Sequence, residues 1–233
     1  MKRGPIVAID GPSGAGKSTV AKQLAERLGY RYIDTGAMYR GIGWLARGKG
    51  VPFRACDSLD ALLKSASLFF EERNGKARLI VNGTDVTDLI RKPEMGMVAS
   101  DISAIEPVRR WLSALQRKLG EQGNAVLEGR DMGTVVFPDA DHKFFLTASI
   151  KERAKRRAEQ LGDKGDAVEL DTVMEEVSRR DWNDSNRAIA PLRKADDAVE
   201  IDTTSMTISE VVERLIREIR AGGGKIEVIS QES

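Results

Sequence analysis

The segment "IDGPSGAGKST", residues 9–19, limits the fold of this chain more than any other stretch. It reads as a short apolar run that enters a glycine loop and leaves through Lys-Ser-Thr into a periodic helix. Gly11-x-x-x-x-Gly16-Lys17-Ser18 is a complete phosphate-loop spacing, set between a strand and a helix as its mechanism requires. Glycines let successive backbone N–H groups curl around an anion without Cβ clashes, and the helix N-terminus adds its partial positive charge. Gly11, Pro12, Ser13, Gly14, Ala15, Gly16, Lys17, Ser18 and Thr19 are therefore candidate ATP-binding residues. Lys17 can reach the β- and γ-phosphates, and the Ser18 hydroxyl can ligate Mg²⁺, the expected cofactor. A glycine turn that merely caps a helix would not need the Lys-Ser ending.

The rest of the chain continues the strand–helix alternation, the pattern of an α/β fold. Strands are expected at 5–9, 30–33, 125–128, 143–147 and 198–202. Helices are expected at 17–28, where Val20, Leu24 and Leu28 share a face, after "DTGAMYR", and from Asp57 or Ser58 through Leu59, Leu62 and Leu63. Pro107 opens another, with Val108, Trp111, Leu112, Leu115 and Leu119 on one side. Ser149 with Glu152, and Thr207 with Glu210, are spaced as capping boxes. A helix from about Asp171 is expected to run towards Pro191. The stretch "SLFFEERNGKARLIVNGTDVT" breaks the alternation: Asn74-Gly75 and Asn82-Gly83 mark two tight turns of a small antiparallel insert. A loose tail follows Gly222.

Composition narrows the functional classes. With 233 residues the chain suits one domain with inserts. Lys plus Arg number 37 and Asp plus Glu 36, a net charge of +1, so no bulk attraction to nucleic acid or an anionic membrane is expected. No apolar run is long enough to cross a bilayer, and a strand from residue 5 leaves no room for a leader peptide. The single cysteine, Cys56, fits a reducing cytoplasm, and the lone His142 excludes a histidine metal cluster and reads as a surface or loop residue. The Asp-x-x-Gly and Asn-Lys-x-Asp strings of a GTPase switch are absent. Trp44, Trp111 and Trp182 read as packing residues.

Arginines gather where an open α/β sheet binds ligands, at the carboxyl ends of its strands. Arg40 follows the second strand, and Arg130 and Asp131 follow "AVLE". Arg180, Asp184 and Arg187 fall at i, i+4 and i+7, one helix face. Alone, that trio also reads as a surface ion-pair ladder. The basic run "IKERAKRRAEQ" reads as a solvated face or as a lid carrying Arg153 and Arg157, hinged at Gly162 and Gly165. Glu128, ending its strand, either orients water on Mg²⁺ or is structural.

Together "DGPSGAGKST", "DTGAMYR", "EGRDMGTVVFPDA" and "RDWNDSNRAIAPL" resemble the bacterial-type cytidylate kinases, over about 5–220. The resemblance implies an adenylate-kinase-like P-loop three-layer fold with a five-stranded parallel sheet, a small antiparallel β insert and a helical lid. It implies a core of 1–40, 101–148 and 188–221, a monophosphate-binding insert at 41–100, a lid with its following helix at 149–187, and a flexible tail at 222–233. The implied reaction phosphorylates CMP and dCMP with ATP. Thr35, Arg40, Ser100, Arg109, Arg130, Asp131, Arg180, Asp184 and Arg187 fall where relatives hold CMP. Ser100, Arg109 and Asp131 would read the base, and Arg180 and Asp184 would lie near the sugar. Lys17, Arg130, Arg153, Arg157 and Arg187 fall at the catalytic cations. Thr35 is often Ser in relatives, which keeps the hydroxyl. Partners would be the two nucleotides, with no nucleic acid or membrane, and the chain a monomer. A kinase for UMP or another small acceptor, or an ATP-gated nucleic-acid switch, would carry the same loop.

Overall fold

The computed structural model describes residues 3–162 and 169–222. The chain divides into two compact units, one of Met1–Asp34 with Arg117–Ser233 and one of Thr35–Gln116.

The first unit is built on five parallel strands: β1 (Ile6–Asp10), β2 (Arg31–Asp34), β6 (Ala125–Glu128), β7 (His142–Thr147) and β8 (Val199–Asp202), in the order β2-β6-β1-β7-β8. Every residue of β1 is buried, as a central strand covered on both faces must be. Helices α1 (Lys17–Leu28) and α8 (Ile208–Ala221) cover one face. Val20 and Leu24 of α1 and Leu215, Ile216 and Ile219 of α8 join Val7, Ile9, Val126 and Phe144 in one apolar cluster. Thr207 starts α8 with a full capping box: its hydroxyl accepts from the Glu210 N–H at 3.3 Å, and the Glu210 carboxylate accepts from the Thr207 N–H at 2.7 Å. The box expected at Ser149 is half made. Glu152 N–H reaches the Ser149 hydroxyl, but the Glu152 carboxylate turns to Arg156, one turn along the helix.

Helices α6 (Ile150–Gly162) and α7 (Leu170–Asn186) pack on each other through Ala154, Leu161, Val173 and Val177. The helix expected to run towards Pro191 stops at Asn186. Arg187 is extended, Ala190 has φ +50°, and the residue before a proline is biased away from helix. Gly165 and the tail beyond Gly222 lie outside the described residues, and Gly162 closes α6.

The second unit holds α2 (Thr35–Gly48), α3 (Asp57–Ser65), α4 (Met95–Ser103), most of α5 (Glu106–Gly120) and the antiparallel sheet β3 (Leu68–Arg73), β4 (Lys76–Val81), β5 (Thr84–Asp85). Asn74 and Asn82 sit at φ +53° and +47°, each followed by a glycine of positive φ, as the hairpin turns read from the sequence require. Helix α4 was not expected: its small residues, "MGMVASDIS", carry a weak signal, and its role is close approach. A Cβ at Gly43 of α2 would stand 2.4 Å from Val98 of α4, so only glycine lets the two helices meet there. Among the described residues no helix is long and apolar enough to cross a membrane.

Leu24, fully buried, is expected to cost about 2–5 kcal/mol when replaced by Ala. Thr207→Ala, which removes one cap, is expected to cost about 1 kcal/mol. Urea unfolding of both variants checks the ranking; a cap loss equal to the core loss would contradict it.

Candidate functional site

The loop between β1 and α1 is shaped by its glycines. Gly11, Gly14 and Gly16 have φ of +146°, +78° and +85°, and a Cβ on Gly11 would meet the Leu146 carbonyl oxygen at 2.0 Å. Any other residue there would push the loop off β7. The loop thus presents its backbone N–H groups at the start of α1, where the helix dipole favours an anion. Lys17 is buried, and its ammonium donates to the Pro12 carbonyl at 2.6 Å. Burial, with Arg130 and Arg180 nearby, holds the Lys17 ammonium well below its usual range, against the pull of Glu128 and Asp10.

A second loop follows β6. Asp10, the last residue of β1, accepts from the Met132 N–H at 2.9 Å and the Gly133 N–H at 2.8 Å. Burial raises the Asp10 carboxyl to about 6; Asp131 adds to the rise, while the two N–H groups and Lys17 oppose it. The backbone then makes a wide turn over Met132–Val136, with Val136 N–H and Phe137 N–H reaching the carbonyls five residues back, those of Asp131 and Met132. Such π-type turns are rare and gather at functional sites.

That turn places Arg130 and Asp131 against α7 and the residues after it. Arg130 Nε donates to Asp184 Oδ2 at 2.8 Å, and Arg187 Nη2 lies 3.5 Å from Asp131 Oδ1. Burial alone would raise the Asp184 carboxyl, but Arg130, Arg180 and Arg187 hold it below the usual carboxylate range. Burial works against the Arg130 cation, and Asp184, Asp181 and Glu128 more than offset it. The i, i+4, i+7 trio is therefore no surface ladder: the Arg187 and Asp184 side chains are 5 % and 4 % exposed.

Glu128 is buried and accepts from the Tyr32 hydroxyl at 2.7 Å. Burial and Asp34 raise its carboxyl, against Lys17 and a hydrogen bond with Ser18. Ser18 opens α1 beside this carboxylate, and among the described residues no cluster of His, Cys, Asp and Glu could cage a metal. A hydroxyl with one carboxylate behind it fits Mg²⁺ that takes its other ligands from water and phosphate.

In the second unit, Thr35 starts α2 and is buried, and Arg40 lies half-buried a turn further on. Arg109 is buried: its Nη1 donates to the Ser103 carbonyl at 3.1 Å and its guanidinium stacks 5.5 Å from the Tyr39 ring centroid. Ser100 is also buried, on α4, where its carbonyl accepts from Ser103. Arg157 is half-buried on α6. Arg153, read as part of a lid, is instead buried at the foot of α6, its Nε on the Ala148 carbonyl and its Nη1 on the Ser13 carbonyl and Asp181. Sequence reasoning missed Asp10, Tyr32 and Asp181. Asp10 stands inside the quoted loop string, but nothing in spacing tells that its carboxylate turns toward a loop 122 residues away.

The phosphate loop thus stands with a buried arginine–carboxylate cluster built from "GRDMG" and the α7 region. The family model for cytidylate kinase matches residues 7–221. The chain belongs to the cytidylate kinase family. It is 52 % identical over 214 residues to "Cytidylate kinase" of Geobacter sulfurreducens, covering 92 % of each chain. It is 49 % identical over 217 residues to "Cytidylate kinase" of Syntrophotalea carbinolica, covering 93 % of this chain and 92 % of that one. Among solved structures, an uncharacterized protein from Eubacterium ventriosum shares the fold, with a TM-score of 0.52, 16 % identity and coverage of 94 % and 99 %. Membership makes the chain a nucleoside monophosphate kinase.

The depressed Lys17 ammonium has a consequence for pH. A triphosphate beside it favours the charged form, so the pKa is higher in the complex than in the free protein. A group whose pKa rises on binding strengthens binding below its free pKa and loses that benefit as pH rises through the bound one. ATP binding is therefore expected to take up protons at neutral to mildly alkaline pH. Calorimetric titrations in buffers of different ionisation enthalpy measure this, and Lys17→Met is expected to bind more weakly without the uptake. Equal heats in all buffers would contradict it.

Proposed function

We propose that this protein transfers the γ-phosphoryl group of ATP to CMP and dCMP, giving ADP and CDP or dCDP. The observation that carries this reading is the buried Arg130–Asp184 and Arg187–Asp131 cluster, beside the phosphate loop and its lysine. The family membership and the near-full-length similarity to cytidylate kinases support it.

The chemistry asks little covalent help from the protein. An oxygen of the acceptor phosphate attacks the γ-phosphorus, and the bond to the β-bridging oxygen breaks. The acceptor is already an anion, so no general base is needed. What the reaction needs is in-line alignment and cations around the moving phosphoryl group. Lys17, Arg130 and Arg187 supply such charge, with Arg40 on the acceptor phosphate and Arg157 towards the donor. Mg²⁺ bound with ATP would be held by Ser18, with Glu128 behind it, and would offset charge on the β- and γ-phosphates.

Base choice rests on donor and acceptor patterns. Cytosine offers an N4 amino donor beside the N3 and O2 acceptors; uracil reverses the pattern at positions 3 and 4. Asp131 and the Ser100 hydroxyl can accept from N4, and Arg109 can donate to N3 and O2. A mismatched base leaves buried groups unpaired, at about 1–3 kcal/mol each.

Acceptor-dependent ADP release across a panel of nucleoside monophosphates tests the reading. CMP and dCMP are expected to lead the panel; a lead by UMP or AMP, or ADP release with no acceptor preference, would overturn it. Asp131→Ala is expected to reduce the preference for CMP over UMP by roughly tenfold. Lys17→Ala is expected to lower kcat by roughly 10²–10³-fold, the usual effect of losing one charge-stabilising donor. Steady-state kinetics with CMP and UMP measures both.

A further inference from the structure

Ser13 lies inside the phosphate loop, and each of its polar atoms is held by a side chain of α6 or α7. Its N–H donates to Asp181 Oδ1 at 3.1 Å, its carbonyl accepts from Arg153 Nη1 at 3.0 Å, and its hydroxyl accepts from Arg180 Nη1 at 3.2 Å. Arg153 and Asp181 also pair directly with each other. The loop rests on α6 itself: a Cβ on Gly14 would stand 2.8 Å from the Arg153 carbonyl oxygen and 2.9 Å from its Cβ. Arg153 is 8 % exposed, so its cation depends on the partners it has.

We infer that Asp181 and Arg153 are positioning residues for the phosphate loop. As one buried unit they hold the two peptide groups that flank the Ser13 Cα, which sets the aim of the N–H groups that follow at residues 14–18. Three facts support the assignment. The three Arg153 bonds end on the Ala148 and Ser13 carbonyls and on Asp181, so its guanidinium is engaged on protein. Asp181 lies one residue from Arg180 and three from Asp184, so the helix that carries the acceptor-side groups also carries the clamp on the donor loop. The Asp181 carboxylate uses one oxygen for Ser13 and the other for Arg153, so neither contact can be lost without disturbing the other.

This assignment rests on the reading of the loop as the ATP site, and it gives Arg153 a different task from a lid cation that touches the donor phosphates. A double-mutant cycle separates the two. Asp181→Ala leaves the Arg153 cation buried without its carboxylate and the Ser13 N–H without an acceptor. Asp181→Ala and Arg153→Met are each expected to weaken ATP binding by roughly tenfold. CMP, titrated alone, is expected to bind within about twofold of the parent protein. The Arg153→Met/Asp181→Ala double variant is expected to be no worse than the weaker single one, because removing both partners strands no charge. Asp181→Asn, which keeps the shape and one acceptor, is expected to fall between and covers the case in which the alanine variant fails to fold.

Calorimetry with ATP and with CMP, and kcat against KM for each nucleotide, give the readout. Three results would overturn the inference: single effects that multiply in the double variant, ATP and CMP weakened alike, or Asp181 variants that bind ATP as the parent does. A parent protein that binds ATP but neither binds nor phosphorylates CMP would instead overturn the proposed acceptor and leave the clamp standing.

Discussion

Like charges crowded out of water are the constraint on which the rest of this structure depends. Lys17, Arg130, Arg180 and Arg187 share one buried region, a crowding that suits a triphosphate and the phosphate of an acceptor. Before a nucleotide arrives something must keep these cations from forcing the site open. Carboxylates do so: Asp184 lies under Arg130, Asp131 beside Arg187, Glu128 and Asp10 near Lys17. The cost appears in the titration of the same groups, with the Lys17 ammonium lowered and the Asp10 and Glu128 carboxyls raised. A site balanced this way exchanges internal partners for phosphate oxygens, so ligand binding and charge relief are the same event.

Backbone geometry fixes where those charges stand. Asp10 ends the central strand and receives two N–H groups from the turn after β6, so the phosphate loop and the "GRDMG" turn are set from a single residue. Neutralising or shortening that side chain would free both loops at once. The parallel pairing of β1 with β6 in register Ile9 to Glu128 brings the two strand ends level, which places the Asp10 carboxylate within reach of that turn. The sheet order puts β1 between β6 and β7, and ligands of open α/β sheets collect at such a central crevice.

Much of this was legible in the chain because it is written in local rules. The phosphate loop needs glycine at positive φ, the insert hairpins need Asn-Gly, and α8 needs its capping box; each leaves a short string at fixed spacing. What stayed hidden depends on partners far apart in sequence. Asp181 sits among many polar residues in "SRRDWNDSN", where a helix with charges on every side reads as solvated; only the fold tells that it faces Ser13, 168 residues away. Helix α4 escaped because its glycine and serines lower helix propensity, while what holds it, the packing of Val98 against Gly43, is tertiary. The basic run of α6 misled in the opposite sense. Its basic residues divide by helical face, so Arg153 and Arg156 turn to protein groups while Lys151 and Lys155 remain in water.

Helix α7 shows why the trio of Arg180, Asp184 and Arg187 needed the structure to be understood. At 3.6 residues per turn, Arg180 and Asp184 share a face, and Asp181 lies about 100° around from Arg180. A helix lying along the edge of the site can therefore present one face to an acceptor and the adjacent face to the donor loop. Arg180 spans the two: it donates to the Ser13 hydroxyl while its charge lowers the Asp184 carboxyl. Arg187 is reached only because the helix ends at Asn186. The backbone at Arg187 is extended, and its Nε donates to the Ala190 carbonyl at 2.7 Å. Beyond α7, the positive φ at Ala190 and the proline at 191 keep the chain out of helix, so the last cation of the cluster, Arg187, stands on non-helical backbone.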